Sequence, residues 1–487
     1  MRDLTSVDAF FLASEDDRTT TNISSLAILE DTRADGTALT RDHILELIGS
    51  RLHLLPPLRW RLAEVPFNIA HPSWVDGEVD LEFHVRELAL PAPGDHRQLT
   101  EQIARLVAYP MDRSRPLWQV YLIHGLEGDR VALLTKMHHA AVDGMSGAEI
   151  MSILLDGSPS GREIPPSPER GPEEVPSQLA MLLHGIAGLP RRQLDSAVAT
   201  SRAARYLDQV PTMRGIPGLR VASRAVRALA PGGAPDGEVL NTGAGEAPKT
   251  PFNGRISAHR RVELIPLSLE RVRGIKEAHG TTVNDVLVAV CAGALRRWLD
   301  STGDLPERPL VAMVPVSVRG GCEGSRSEGS RFGNHVSAMA FPIPTDEPDQ
   351  VTRLTRTRDA MRSAKQCHNA VPASLMRDAN DLVPPILFGR AMRAMTRLTS
   401  SDSFAPSINV VISNVPGSRS PLYCAGALMR SHFPVSTITD GLALNITVFS
   451  YRDQLNVGLV ADRDLVPNLD GLAAALAEEL DLLAAVR

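Results

Sequence analysis

A segment rich in proline, glycine and charge, DGSPSGREIPPSPERGPEEVPS (156–177), limits how this chain can fold more than any other feature. It lacks the apolar periodicity of a helix or strand, and its composition is that of an exposed linker. A second loose segment, PGGAPDGEVLNTGAGEAPKTP, covers residues 231–251. The chain has 487 residues, whereas one hydrophobic core usually holds no more than about 250–300. We therefore predict an N-terminal domain (1–177), a helical connector with flexible ends (178–251) and a C-terminal domain (252–487).

Strand-like and helix-like patterns occur together in both predicted domains. In the first domain, TRDHILELIGSRL predicts a helix capped by Thr40, and LWQVYLI and VALLTKM predict strands. In the second, SLERVRGIKEAHG predicts a helix that starts after Ser268 and ends at Gly280. A longer amphipathic helix is predicted for TTVNDVLVAVCAGALRRWL, and later strand-like runs are LVAMVPVSV, VSAMAFPI, INVVIS, LNITVFSY and LNVGLV. We predict a mixed α/β (α+β) fold in both halves.

The charge balance and the apolar pattern argue against several classes of protein. The net charge is −6 and no Lys/Arg block occurs, so no nucleic-acid partner is expected. The four cysteines lie far apart without a C-x-x-C pair, which is typical of reduced thiols in a cytosolic protein. The stretch MRDLTSVDAFFLASEDD is acidic, unlike a signal peptide, and no apolar run is long enough to predict a membrane span. The expected location is the cytoplasm.

The segment KMHHAAVDGMSG (136–147) places two adjacent histidines at the end of a predicted strand. Because side chains alternate along a strand, His138 and His139 should point to opposite faces, and only one can face a given cleft. The two glycines allow a substrate to approach the backbone closely. A helix is predicted to follow, with Ser146 as its cap and Glu149 at capping-box spacing. A histidine in such a loop is mostly neutral at pH 7 and is suited to act as a general base.

The residues alone leave other interpretations of this motif open. Both histidines and Asp143 could bind a metal ion, although adjacent strand histidines diverge and the HExxH spacing is absent. Asp143 and the glycines could instead form a simple turn, and both histidines could be hydrogen-bonded core residues. The chain contains no G-x-S-x-G serine elbow, Walker A motif or G-x-G-x-x-G fingerprint. No metal and no resident cofactor are therefore expected.

Several segments, in a fixed order along nearly the whole chain, carry a family resemblance. They are LTSVDAFFLASE, MDRSRPLWQVYLIHGLEGDRVALLTKMHHAAVDGMSG, TTVNDVLVAVCAGALRRWL, PVSVR, GNHVSAM and SNVPGSRSPLYCAG. Through them the chain resembles the bacterial wax ester synthase/acyl-CoA:diacylglycerol acyltransferase family, especially its actinobacterial triacylglycerol synthases. The HHxxxDG motif alone also occurs in peptide-synthetase condensation domains and chloramphenicol acetyltransferase-like enzymes. The other segments, in this order, are more specific.

The resemblance implies a fold and a mechanism. The fold would consist of two CoA-dependent acyltransferase-like (chloramphenicol acetyltransferase-like) domains joined by a helical linker, with an active-site channel between them. His139, the second histidine of the motif, would be the proton acceptor for the acceptor hydroxyl. That hydroxyl would attack the acyl-CoA thioester directly, without an acyl-enzyme. Acyl-CoA would therefore be a substrate rather than a cofactor.

The resemblance also singles out other residues of the matching segments. His138 and Gly144 would support the site, and Asp143 would hold the loop, with an arginine as a possible partner. The residues expected to line the substrate channel are Trp118, Asn284, Asp285, Ser413, Asn414 and Gly417. Structural roles compete with these expectations. Trp118 could simply pack in the core. Asn284 and Asp285 fall in the first turn of a predicted helix, where helix capping would account for both side chains.

The implied reaction forms triacylglycerol from diacylglycerol and a long-chain acyl-CoA. The alternatives are a wax ester synthase that uses long-chain alcohols, transfer from a carrier-protein thioester, and a non-catalytic lipid-binding or lipid-droplet protein. Many family members carry a methionine–histidine segment where this chain reads TTTNISSLAILE (19–30), so the acceptor preference stays open. Because these acceptors are apolar, we expect peripheral association with the inner membrane face or with lipid droplets.

Overall fold

The structure, a computed structural model, describes residues 2–142, 144–166, 177, 179–182, 247–317, 336–370 and 405–486. The helices are α1 (Ser6–Ser14), α2 (Arg41–Arg51), α3 (Leu81–His84), α4 (His96–Ala108), α5 (Gly144–Leu154), α6 (Leu269–His279), α7 (Val283–Thr302), α8 (Gln350–Ala370) and α9 (Leu469–Ala485). The strands are β1 (Arg2–Asp3), β2 (Asn22–Arg33), β3 (Trp60–Ala63), β4 (Ser73–Asp76), β5 (Val85–Ala89), β6 (Trp118–Leu126), β7 (Arg130–His138), β8 (Arg260–Ser268), β9 (Leu310–Ser317), β10 (Val336–Ile343), β11 (Val410–Val415), β12 (Tyr423–Cys424), β13 (Ala427–Val435), β14 (Leu444–Tyr451) and β15 (Gln454–Asp462).

Most of these strands form two six-stranded mixed sheets. The first has the order β12-β13-β2-β7-β6-β5, and within it only β5 and β6 pair in parallel. The second has the order β10-β9-β11-β14-β15-β8, with β11 parallel to both of its neighbours. A small sheet, β1-β4-β3, lies beside the first. The predicted mixed α/β architecture is confirmed.

The first sheet is completed by strands from the far end of the chain. β13 pairs antiparallel with β2, from Ala427 opposite Arg33 to Val435 opposite Ser24. The first sheet therefore combines strands from both predicted domains, and the boundaries given above stay a prediction. Most of the predicted connector lies outside the described residues, apart from the helical residues 179–182 and the segment 247–251.

Local capping explains where several helices begin and end. The helix predicted to follow Thr40 runs from Arg41 to Arg51. Ser268 accepts a hydrogen bond from a first-turn N–H of α6, and Gly280 ends that helix in the left-handed conformation, as predicted. The predicted cap Ser146 is wrong: α5 already begins at Gly144, so this serine lies inside the first turn. Capping signals fix a helix end only to within one or two residues.

Three large apolar clusters fill the space around the sheets. One surrounds α7 and the second sheet, and another lies between the first sheet and helices α2 and α5. The third combines β2, β6 and β7 with β8 and β15, so the two sheets share an apolar interface. They approach closely there, since a Cβ on Gly458 would lie 1.7 Å from the Pro434 carbonyl oxygen. Both sheets are thus held together next to the end of β7.

Among the described residues, no single helix is long and apolar enough to cross a membrane. Helices α6 and α7 reach the required length and composition only when taken together, and they meet at an angle of 104°.

Candidate active site

The first histidine of the motif, His138, is the last residue of β7, and His139 follows it. It pairs with β2, with His138 opposite Asn22, and with β6, with Met137 opposite Trp118. His138 is 1% exposed, whereas His139 follows the end of the strand and is half-buried. Lys136 and His138 share one face of β7 by alternation, and Met137 lies on the other.

The main chain and the ring of His139 are both fixed by the N-terminal segment. Its N–H donates to the Thr21 carbonyl oxygen, with an N···O distance of 2.8 Å. Its imidazole stacks on the Phe11 ring at 3.8 Å between centroids and an interplanar angle of 10°. The aromatic contact limits rotation of the imidazole. A general base needs this restriction, because proton transfer requires a defined hydrogen-bond geometry.

His138 holds the loop rather than facing outward. Its Nδ1 accepts the Ala140 N–H at 3.0 Å. Its Nε2 lies 3.1 Å from a Glu15 carboxylate oxygen and 3.2 Å from the Thr21 hydroxyl. Since Nδ1 accepts a backbone proton, the ring's own N–H must be at Nε2, where it donates to these oxygens. This arrangement turns the backbone after His138 and so determines where His139 lies.

Glu15 is the residue of this network that the sequence reasoning missed. Its second oxygen pairs with Arg113 at 2.9 Å, and its first accepts the Thr21 N–H at 3.0 Å. Burial alone would raise the pKa of its carboxyl, but the hydrogen bonds from His138, Arg113 and Thr21 lower that pKa to about 2. The available signal is that Glu15 is the last residue of the segment LTSVDAFFLASE, which carries part of the family resemblance. Glu15 is thus an ionised anchor.

Lys136 is a fully buried cation on the His138 face of β7. Its ammonium donates to the carbonyl oxygens of Leu106, at 3.0 Å, and Tyr109, at the end of α4. Burial lowers the pKa of Lys136 to about 8, although the nearby Glu15 charge opposes this shift. A cation near carbonyl groups at a helix C-terminus is favourable, so the lysine fixes α4 against the strand that carries the histidines.

The helix after the motif is fixed at its far end. Arg51 donates to the carbonyl oxygens of Ile153 and Leu154, each at 2.9 Å, and pairs with the buried Asp156 at 2.6 Å. Asp156 in turn forms a β-bridge with Tyr423. The sequence-predicted Gly144 is the first residue of α5, while Asp143 lies outside the described residues. The motif is therefore held between β7 and an anchored helix.

A largely apolar cavity of about 340 Å³ opens beside this loop, between the two sheets. Met137 and Val142, which flank His139 in the chain, form part of its wall. The predicted channel residue Gly417 lies on the opposite wall, in the segment after β11. A Cβ at Gly417 would lie 2.0 Å from the Ser450 carbonyl oxygen, so a side chain there would displace the strand that forms the wall. The close approach explains a glycine at this position.

The other predicted channel residues are not among those that line this cavity. Trp118 is 2% exposed, and its indole N–H donates to the Leu58 carbonyl oxygen at 2.7 Å. Asp285 accepts the Thr282 N–H at 2.8 Å in a capping box at the start of α7. The remaining predicted residues are the half-buried Asn284, in the first turn of α7, and the neighbouring Ser413 and Asn414, at the end of β11. Local roles in packing and capping thus account for the contacts of Trp118 and Asp285.

No group of three His, Cys, Asp or Glu side chains that could hold a metal ion occurs within the described ranges. The candidate site instead consists of the half-buried His139, which stacks on Phe11 and directly follows the hydrogen-bonded His138. Its chain neighbours Met137 and Val142 line an apolar cavity. Such a site can accept a proton from a hydroxyl group and bind an alkyl chain.

Two family models match the chain. The wax ester synthase/diacylglycerol acyltransferase catalytic domain matches residues 4–287, and the WS/DGAT C-terminal domain matches residues 332–484. A putative diacylglycerol O-acyltransferase of Mycobacterium tuberculosis is 34% identical over 99% of this chain and 89% of its own length. A probable diacylglycerol O-acyltransferase, tgs2, of the same species is 32% identical over 97% of this chain and 96% of its own length.

Solved structures are similar to this chain as well. The wax ester synthase/diacylglycerol acyltransferase of Marinobacter aquaeolei VT8 superposes with a TM-score of 0.67, at 28% identity over 100% of both chains. The first condensation domain of the calcium-dependent antibiotic synthetase has a TM-score of 0.58 at 17% identity, covering 100% of this chain and 96% of that one. The second likeness concerns the fold alone, and it confirms the predicted acyltransferase-like architecture. The chain therefore belongs to the wax ester synthase/diacylglycerol acyltransferase family.

Proposed function

We propose that the protein is an acyl-CoA-dependent O-acyltransferase that forms triacylglycerol from diacylglycerol and a long-chain acyl-CoA. The observation that carries the proposal is the position of His139, which stacks on Phe11 within the family's HHxxxDG motif, while its chain neighbours Met137 and Val142 line the apolar cavity. The relatives of this protein that are named diacylglycerol O-acyltransferases support diacylglycerol as the acceptor. No resident metal or cofactor is needed for this chemistry, since the thioester is itself activated.

In the proposed mechanism, His139 accepts the proton of the acceptor hydroxyl while the oxygen attacks the thioester carbonyl. The tetrahedral intermediate then collapses, the C–S bond breaks, and the imidazolium returns its proton to the CoA thiolate. The products are one ester and one CoA thiol, so atoms and protons balance without an acyl-enzyme. A general base of this kind contributes about 10²–10⁴-fold in rate.

The surrounding residues have positioning roles in this mechanism. Phe11 fixes the plane of the His139 ring, and the Thr21 carbonyl fixes its backbone. Glu15 and Arg113 hold His138, which in turn shapes the loop. Asp143 is proposed to hold the same loop. The apolar cavity would accommodate an alkyl chain and exclude water, which prevents hydrolysis of the thioester.

A test uses the purified full chain, palmitoyl-CoA and dioleoylglycerol, with CoA thiol release and the ester product measured together. We expect His139→Ala to lower kcat by about 10²–10⁴-fold. The matched control is His259→Ala, which replaces an exposed histidine and should retain wild-type activity. Retained activity in a folded His139→Ala protein would remove this residue from the mechanism. An inactive wild type would favour a non-catalytic lipid-binding protein.

Wax ester synthesis is the second candidate, because the same base and cavity could serve a long-chain alcohol. The matching family model and the Marinobacter structure carry both activities in their names. Replacing dioleoylglycerol by hexadecanol in the same assay distinguishes the two acceptors. Acyl transfer from a carrier-protein thioester is distinguished by replacing the CoA ester with an acylated carrier.

We also propose that the protein is located in the cytoplasm and meets its acceptor at the inner membrane face or at a lipid droplet. Large apolar side chains are exposed at Phe67 (81%), Tyr109 (66%) and Leu179 (65%), and such side chains favour the membrane interface. We expect the protein to co-sediment with phosphatidylcholine vesicles that contain diacylglycerol. Recovery of all protein in the supernatant, with vesicles present, would contradict peripheral association.

A further inference from the structure

The segment 15–21, which joins α1 to β2, is in contact with both halves of the molecule. At its two ends, Glu15 pairs with the first histidine of the motif, and the Thr21 carbonyl oxygen accepts the N–H of the second. Between these ends the chain turns tightly, because the Asp16 carboxylate accepts the N–H groups of the residues two and three positions ahead, at 2.9 and 2.8 Å. Since the turn is short and internally bonded, a displacement of its middle also displaces its ends.

The middle of this segment is held by the second half of the chain. The Arg18 guanidinium donates to the Ile256 carbonyl oxygen at 3.1 Å. It also lies 3.5 Å from one carboxylate oxygen of the buried Asp440. The other oxygen of this carboxylate accepts the Ile256 N–H at 2.9 Å, so the two partners of the guanidinium are fixed relative to each other. The Arg18 side chain therefore binds a preformed site.

Two further side chains of the second half hold the backbone of the segment. Arg260, at the start of β8, donates to the Arg18 carbonyl oxygen. The Thr437 hydroxyl donates to the Thr20 carbonyl oxygen. Arg260 is itself fixed, since it also donates to the Ser257 carbonyl oxygen at 2.8 Å. Both the side chain and the main chain of the segment are thus bound to the second half of the chain.

We propose that Arg18 is a positioning residue, through which the second half of the chain fixes the backbone of the general base His139. This inference rests on the proposed function. The path is short, because Thr21, whose carbonyl oxygen accepts the His139 N–H, lies three residues beyond Arg18. Loss of the guanidinium lets the segment shift, and a shift of about 1 Å at a catalytic group can lower the rate by about 10²-fold. Arg18 acts on the position of the base and not on the apolar cavity, so it affects kcat more than KM.

The test compares kcat and KM of Arg18→Ala with those of the wild type, using the purified full chain, palmitoyl-CoA and dioleoylglycerol. We expect kcat to fall by about tenfold or more, with KM for palmitoyl-CoA nearly unchanged. Methylguanidinium added to this variant should restore part of kcat, since it can occupy the site that the side chain leaves. Arg18→Lys keeps a cationic donor and should retain more of kcat than Arg18→Ala.

The matched control is Arg97→Ala. This arginine pairs with Glu101 at 2.9 Å on the exposed surface of α4, where an ion pair contributes little. The control should leave kcat unchanged and should not respond to methylguanidinium.

A second measurement reports the contact without requiring activity. Hydrogen exchange of the wild type and Arg18→Ala is compared on peptides that cover residues 136–142, which include the His139 N–H. This amide should exchange faster in the variant, because local opening governs the exchange of hydrogen-bonded amides. The amides of α9 should exchange equally in both proteins, which excludes a loss of global stability.

Three results would overturn the inference. They are wild-type kcat in folded Arg18→Ala, equal exchange of residues 136–142 in the two proteins, and faster exchange throughout the chain, which would assign Arg18 to global stability. If the wild type itself released no CoA, the proposed function would be wrong, and with it the role of Arg18 in catalysis.

Discussion

Two buried charge networks, one in each half of the molecule, have similar chemistry and different surroundings. In the first, Glu15 joins His138 and Arg113 directly behind a half-buried histidine. In the second, Glu479 joins Arg353 at 2.6 Å and Arg297 at 2.9 Å between helices α7, α8 and α9. The second network is enclosed by tight packing, since a Cβ on Gly293 of α7 would lie 2.3 Å from a Glu479 carboxylate oxygen.

The comparison shows that a buried ion pair does not by itself mark a functional site. Both carboxylates are almost inaccessible, and both are paired with arginine. Only the first network contains a residue, His138, that directly precedes the half-buried His139. The chain neighbours of that histidine line the cavity. We therefore expect the first network to affect catalysis and the second to affect stability.

The largest expected effect is on stability, in the second network. Glu479→Ala would leave Arg353, which is 2% exposed, without its carboxylate. An uncompensated buried charge costs about 3–5 kcal/mol, so the free energy of unfolding in urea should fall by about that amount. Activity per folded molecule should not change. The control is Glu478→Ala, whose exposed carboxylate pairs with Arg297 at 3.2 Å and should contribute little.

A smaller effect, on catalysis, is expected in the first network. Glu15→Gln keeps the shape of the side chain but removes the charge that binds His138 and Arg113. The loop should lose some of its order, and kcat should fall by about tenfold or more, since small displacements of a catalytic group are costly. Thermal unfolding should change less than in Glu479→Ala. A fall in stability without a fall in kcat would make the two networks equivalent and would contradict the comparison.

The smallest effect concerns the pH dependence of stability. The pKa of Glu15 is lowered from 4.5 to about 2. A depressed carboxyl pKa stabilises the folded state above the unfolded value, and this stabilisation is lost as the pH falls from about 4.5 toward 2. The wild type should thus lose more stability than Glu15→Gln when urea unfolding is repeated below pH 4.5. If the free energies of unfolding of the two proteins fell in parallel with pH, these contacts would not lower the pKa of the Glu15 carboxyl.

The fold was predictable from the sequence where the cause of an element is local. The caps Thr40 and Ser268 and the terminal Gly280 each lie within a few residues of the backbone that they determine. Alternation along β7 also predicts that the two histidines diverge. The role of Glu15 was not predictable, because its partners come from distant parts of the chain. The same holds for β13, whose pairing with β2 depends on the whole fold.

The pairing of β13 with β2 also affects how the protein is made. β2 ends at Arg33 and its partner begins at Ala427, so about 400 residues must be synthesised before the edge of β2 can be covered. At about 5–20 residues per second, this takes ~20–80 s. During this time a strand that is mostly buried in the folded protein has an open edge, and such edges readily pair with other chains. The site at the end of β7 can therefore be completed only late in synthesis, and the nascent chain needs protection from aggregation until then.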